Sequence, residues 1–284
     1  MLRQRVITAL VLLAILLPAL FYAPSAVPFT VVVLVLMAAG AWEWGRLCGF
    51  AQAGSLMVGA ACVALCVGSW VAGWPDRPLA PLWIAGGGLW VLGCAWLLRA
   101  GVPGWPRIPA VVRLIAGVLA LWLAWLAVVQ ARAVGINFLL SVLTLVWAAD
   151  IFAYFAGRAF GLKFTRGKLA PAISPGKSWE GVWGGLAGVV VLALCWVWAD
   201  AHWQAQVPSL YSRLAAQGWW LLVVGVLFMV AMSVSGDLIE SLIKRSAGVK
   251  DSSALLPGHG GVLDRVDALL PTLPLAMMLQ SLVS

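Results

Sequence analysis

Residues 218–267 read GWWLLVVGVLFMVAMSVSGDLIESLIKRSAGVKDSSALLPGHGGVLDRVD, an apolar run long enough to cross a bilayer that ends abruptly in charge. In a chain with 10% charged residues, the stretch from Ser241 to Asp267 alone holds Lys244, Arg245, Lys250, Asp251, Asp264, Arg265 and Asp267. It also holds His259, one of two histidines. Cations suit phosphate oxygens, and closely spaced carboxylates suit a hard divalent ion such as Mg2+. Pro257-Gly258-His259-Gly260-Gly261 gives a backbone that can turn sharply and approach a ligand closely. A helix beginning after Gly261 puts Asp264 and Asp267 at i and i+3, on one face. Asp237, Glu240 and Lys244 share a face at the end of the preceding span. One reading of that face is an internal Glu240–Lys244 ion pair. The other, favoured because an unpaired charge near membrane depth is expensive, has Asp237 on a metal and Lys244 facing phosphate. Cations, a glycine-rich turn and paired carboxylates together point to metal-assisted nucleotide chemistry.

Outward from this stretch the chain is membrane-like. Of 284 residues, 63% are hydrophobic, and the mean hydropathy is +1.02, far from the roughly 25% charged residues of a soluble domain. Arg3 and Arg5 precede the apolar run from Val6 to Leu17 within Met1 to Ala26, a signal-like start that repeated later spans turn into an uncleaved first helix. Further spans are expected near 28–45, 54–73, 79–98, 110–131, 136–157, 180–199, 218–236 and 262–283. The expected fold is an all-α polytopic bundle of about nine transmembrane helices with a polar cavity facing the cytoplasm. With the N-terminus inside, only Arg77, Arg132 and Arg213 of the 18 basic residues fall outside, so the C-terminus is expected outside. Tryptophans such as Trp42, Trp74, Trp179 and Trp219 fall at span ends, as an interfacial belt requires, so no base-stacking role is needed. The net charge of +8 records orientation and a phosphate-rich substrate rather than nucleic acid. The five cysteines lie in or beside apolar runs without His or acidic partners, which implies neither disulfides nor zinc.

The two halves differ. Residues 1–135, about five helices, hold the acids Glu43 and Asp76 and read as scaffold, with a lipid-facing or oligomer surface that leaves a homodimer open. Residues 136–284, about four helices with cytoplasmic loops 158–179 and 237–261, read as the catalytic region. Asp150, Tyr154 and Arg158 follow i, i+4, i+8 along one face and read as a wall of the polar site, or as an internal Asp–Arg or Asp–Tyr contact. Ser174-Pro175-Gly176-Lys177-Ser178-Trp179-Glu180-Gly181 either caps a helix through Ser178, with Glu180 in its first turn, or sets Lys177 at a phosphate site. It lacks the glycines of a Walker A loop. His202 falls in an outside loop with Asp200 and Arg213, read as solvated polarity.

The C-terminal stretch resembles the signature of phosphatidate cytidylyltransferases, the CDP-diacylglycerol synthases. That pattern runs S-x-apolar-K-R, four residues, K-D, then P-x-H-G-G, then D-R-apolar-D. Ser241, Lys244, Arg245, Lys250, Asp251, Pro257, His259, Gly260, Gly261, Asp264, Arg265 and Asp267 fit it without a gap. Residues 174–181 resemble the family's second block, usually SP, a basic residue, K, Thr, any, EG. Gly176 replaces the extra cation and Ser178 the Thr, which weakens a double-cation clamp but keeps Lys177 and Glu180. The resemblance covers roughly residues 140–270 by motif. It implies transfer of CMP from CTP to phosphatidate, giving CDP-diacylglycerol and pyrophosphate, in a bacterial-type inner membrane. Asp264 is then expected as the central Mg2+ ligand, with Asp237 and Asp267 beside it, room for a second cation, and Lys244 completing the catalytic group. Ser174, Lys177, Glu180, Ser241, Arg245, Lys250, Asp251, His259 and Arg265 are expected to bind substrate. Ion-coupled transport of an anion is the competing class, but no inverted repeat and no paired broken spans accompany it. A CTP-dependent lipid kinase is the competing chemistry.

Overall fold

In a computed structural model that describes residues 2–22 and 25–283, the chain is a bundle of long helices. Met1, Ser284 and residues 23–24 of the expected first span lie outside the described residues, as do the side chains of Leu2, Arg3 and Arg5. The helices of the first region are α1 (Leu2–Phe21), α2 (Val27–Leu47), α3 (Gln52–Val71), α4 (Ala80–Ala100) and α5 (Ala110–Val134). The second region has α6 (Ile136–Phe160), a small hairpin of β1 (Lys168–Ala170) and β2 (Ser174–Ser178), α7 (Trp179–His202), α8 (Leu210–Gln217), α9 (Trp219–Ser246), α10 (Leu263–Val266) and α11 (Leu269–Val283). Eight helical stretches are long and apolar enough to cross a membrane, and α1 adds a shorter apolar run, Val6–Phe21. An all-helical architecture follows from the solvent: in hydrocarbon every backbone N–H and C=O must be paired within the segment.

The expected spans are in place, with three refinements. The last span is broken: α10 stops after one turn and the chain turns at Asp267 and Ala268 before α11 begins. The loop 158–179 is ordered by the antiparallel β1–β2 pair, with Lys168 opposite Ser178. Asp200, expected in a solvated loop, falls in the last turn of α7 and is held by its neighbours. It accepts from Asn137 Nδ2 at 2.8 Å, Ser209 N at 2.8 Å and Ser212 Oγ at 2.6 Å, pinning the start of α8 to α6. His202 stays at the surface, stacked on Trp198 at 4.9 Å.

Packing is closest between α6 and α7. A Cβ on Gly184, Gly185 or Gly188 would meet Ala156 Cβ at 2.1 Å, Ala149 O at 2.8 Å or Phe152 Cδ2 at 2.2 Å, so small residues let the two backbones meet. α11 packs against α4, α5 and α9, and one continuous apolar core spans both regions. The outer surface is apolar as well, with Val71 84% and Leu89 73% exposed, as a lipid-facing surface requires.

Candidate active site

The signature stretch folds into a compact knot at one end of α9. Lys244 is the centre of it: its ammonium pairs with Glu240 one turn back and donates to Asp264 Oδ1 at 2.5 Å. The other oxygen of Asp264 accepts from Ser252 N at 2.9 Å, Ser252 Oγ at 2.9 Å and Gly261 N at 2.7 Å. Asp264 is thereby almost fully buried, and both of its oxygens are engaged. The internal Glu240–Lys244 pair is therefore present, and Lys244 bridges Glu240 to a second carboxylate.

The anchor of the knot comes from the first region. Glu43 of α2 is completely buried, and its Oε1 accepts from Ser253 Oγ at 2.5 Å and Val262 N at 2.9 Å. Its Oε2 accepts from Ser252 Oγ at 3.0 Å and Leu263 N at 2.8 Å. The two amides are otherwise orphaned donors at the start of α10, so Glu43 caps a helix more than 200 residues away. Glycine is needed at both neighbouring positions. A Cβ on Gly261 would stand 2.0 Å from Ser252 Oγ and 2.4 Å from Glu43 Oε1, and Gly260 has φ +82° with Asp264 Oδ2 at 2.7 Å. The turn is closed by Leu256 N donating to Gly260 O at 2.8 Å and by His259 N donating to Leu256 O at 2.8 Å.

A second polar centre lies beside it. Lys177, next to the start of α7, pairs with Asp237 of α9. The two line a cleft of about 420 Å³ with Asp150, Tyr154 and Arg158 of α6. Arg158 Nη1 donates to the Tyr154 hydroxyl at 2.9 Å, which leaves Asp150 facing the cleft. Asp150 and Asp237 line it together, and the backbone of Asp267 lies against α9 at Gly236, next to Asp237.

The expected residues thus divide. Asp150, Lys177, Ser178 and Asp237 meet in the cleft, and Glu240, Lys244, Gly261 and Asp264 meet in the knot, where Ser252, not among the expected residues, joins them. Ser241 joins the two, its Oγ 3.4 Å from Asp237 Oδ1. Arg245 reaches back to Ile173 O at 3.5 Å, and Arg265 donates to His259 O at 3.0 Å, so both steady loops while remaining exposed. Lys250 and Asp251 project outward from the loop. His259 holds the turn through its backbone, while its Nδ1 is buried without a hydrogen-bond partner among the described residues. Ser174 opens β2 opposite Ala170.

Glu180 departs from its expected substrate role. It is buried away from the cleft, and its Oε1 accepts from Phe164 N at 3.1 Å, Thr165 N at 2.8 Å and Thr165 Oγ1 at 2.8 Å. It shapes the loop that carries β1. Ser178 caps α7 by accepting from Gly181 N at 3.2 Å. The three carboxylates expected on a metal are each engaged by another group. Among the described residues no three His, Cys, Asp or Glu side chains converge at metal-binding range. Asp264 is turned to Lys244, Asp237 to Lys177, and Asp267 Oδ1 to the Ala268 amide at 2.7 Å. The lysines take the neutralising position that like carboxylates demand. The donor chemistry nonetheless suits a hard divalent ion, being oxygen alone and drawn from α6, α9 and the α10–α11 break.

Sequence reasoning missed Glu43, Ser252 and Ser253. A single carboxylate at the end of an apolar span was the available signal for Glu43, because its burial has to be compensated by several donors.

The cytidylyltransferase family model matches residues 3–283. The chain is 39% identical over 283 residues to a phosphatidate cytidylyltransferase of Pseudomonas aeruginosa, covering 96% of this chain and 95% of that one. It is 38% identical to the Haemophilus influenzae protein of the same name, covering 96% of each chain. A Brucella abortus phosphatidate cytidylyltransferase is 41% identical over 186 residues, 64% of this chain and 60% of the relative.

Proposed function

The chain belongs to the cytidylyltransferase family, and from that premise we propose how its two polar centres divide the work. The protein is a multi-pass membrane nucleotidyltransferase that moves CMP from CTP to phosphatidate, giving CDP-diacylglycerol and pyrophosphate. A phosphatidate oxygen attacks the α-phosphorus of CTP. A P–O bond forms there as the bond to the β-phosphate oxygen breaks, and the electron pair leaves with pyrophosphate. The nucleophile is already ionised at neutral pH, since a phosphate monoester loses its second proton at about pH 6, so no general base is required.

The observation that carries this reading is the pairing of Lys177 with Asp237, 60 residues apart, in a cleft beside the Lys244–Asp264 knot. Two ammonium groups on two segments are held ready on carboxylates, and phosphate oxygens compete well for both. Lys177 moves from Asp237 to the nucleotide, and Lys244 faces the phosphate under attack. Asp237 and Asp267, with Asp264 as the third carboxylate, would hold Mg2+ once Lys177 and Lys244 have turned to phosphate. When bound, the ion offsets the charge of the leaving pyrophosphate. Glu43 and Glu180 orient the two loops and touch no substrate.

The N-terminus is cytoplasmic and the C-terminus outside, in a bacterial inner membrane. A reporter after Val283 then reads outside, and one near Arg166 reads inside. A cytoplasmic reading after Val283 would remove one span, with broken α10–α11 the first suspect. The mass of the detergent-solubilised particle decides whether the protein is a homodimer. Purified protein with labelled CTP and phosphatidate tests the reaction itself. CDP-lipid with pyrophosphate supports it, CDP with a phosphorylated lipid means a kinase, and no turnover with accumulation in vesicles means transport.

A further inference from the structure

A second cavity, of about 640 Å³, lies outside the polar centres and is walled mainly by the first region. That volume falls in the range of small-molecule sites. Its sides are α4 and α5, with Leu89, Val112, Ala116 and Ala120 along them, and Trp44 of α2 at one end. Its inner edge is different in kind: Gly236, Glu240 and Asp267, the last two being carboxylates at the heart of the site described above.

Three features determine what fits there. The outer wall belongs to membrane-spanning helices, with Leu89 73% and Val112 51% exposed, so the mouth opens to hydrocarbon and not to water. Along α5 the lining runs from Val112 to Leu123. About eleven residues at 1.5 Å each span about 16 Å. This is about half of a ~30 Å hydrocarbon core, the depth one leaflet supplies. Finally, the groove joins the polar site at Glu240 and Asp267, beside the Lys244 ammonium that pairs with Glu240, so an occupant with an apolar tail and an anionic head can have its tail in the groove and its head at that cation.

We propose that this groove holds a fatty-acyl chain of the lipid substrate and that Ala116 and Ala120 set the chain length accepted. This rests on the reading of the protein as a phosphatidate-consuming enzyme and extends it to the five helices that carry no catalytic group. Gly236 has a part in it. A Cβ there would meet Asp267 O at 2.7 Å and Pro271 Cγ at 2.8 Å, so α9 and α11 meet where chain and head must part.

The test uses two readouts. In the first, Ala116→Trp and Ala120→Trp narrow the groove from its α5 wall, with Val71→Trp on the outer face of α3 as control. KM for long-chain phosphatidate should rise about tenfold or more in the two groove variants and stay within about twofold in the control. KM for dihexanoyl phosphatidate and for CTP should stay near wild type. In the second, phosphatidate with a diazirine in one chain is photolysed with the full-length protein. Labelled peptides should come from α4 and α5, and unlabelled long-chain phosphatidate should compete. Labelling that is not competed means bulk lipid only and overturns the proposal, as does equal loss for long and short chains. If Ala120→Trp instead splits a dimer, the groove is an interface between copies and the proposal fails. Competed labelling of α4 and α5 without formation of CDP-lipid supports the groove and sinks the reaction instead.

Discussion

The first region, α1 to α5, and the second, α6 to α11, solve opposite problems with the same apolar alphabet. Beyond residue 135 the protein places eight of its ten acids, and most of them sit against Lys177, Lys244 or backbone donors. Before it there are two, Glu43 and Asp76. Yet Glu43 is the acid with the most thorough burial and accepts four hydrogen bonds, all from the signature loop. On the proposed reading, charge density marks where substrate is handled. A solitary buried charge in a charge-poor region marks where that region grips the site. The difference teaches that scaffold and site are not separable: the loop carrying Asp264 is built on an acceptor that the catalytic region does not supply.

The sharpest way to break the contrast is Asp264→Asn. On the proposed division of labour this variant loses turnover by about a thousandfold or more, the scale of removing a preorganised transition-state contact. It still inserts and purifies, because Ser252 and Gly261 can donate to the amide oxygen. Near-normal specific activity would reduce Asp264 to a structural partner of Lys244. Wild-type activity should vanish with chelator and return on adding Mg2+.

Next in size is Glu43→Gln against Asp76→Asn, the two acids of the quiet half. Whichever way the new amide turns in Glu43→Gln, its NH2 faces donors already present. Each donor left unpaired costs about 1–3 kcal/mol. Thermal unfolding in detergent should drop clearly for Glu43→Gln, with activity falling alongside, and should hardly change for Asp76→Asn. Equal behaviour of the two would erase the distinction between gripping and idle charges.

Lys177→Ala has a smaller effect. Removing one charged hydrogen bond to a phosphate, worth about 1.5–3 kcal/mol, should lower kcat/KM for CTP about ten- to a hundredfold. Expression should stay normal, since Asp237 is partly solvated and a Mg2+ or a proton can replace the lost ammonium. Unchanged kinetics for both substrates would mean that the cleft and the knot do not serve one reaction.

Membrane class, the number and placement of the spans, and the identity of the charged stretch were legible in the order of residues. Apolar length against bilayer thickness is a local property, and a run such as Trp219 to Gly236 carries it whole. The i, i+4 relation of Glu240 to Lys244 was also local, and so was the cap on Ser178. Which carboxylate each lysine holds was decided by the tertiary structure. Lys177 meets Asp237, and Lys244 meets Asp264, because α7, α9 and α10 are brought side by side by packing that no short window encodes. The same holds for Glu180, taken from the substrate by the backbone of Phe164 and Thr165, and for Glu43, whose four donors lie more than 200 residues away. A buried charge must find its donors wherever the fold supplies them. The sequence declares that such a charge exists, and only the packed chain determines what answers it.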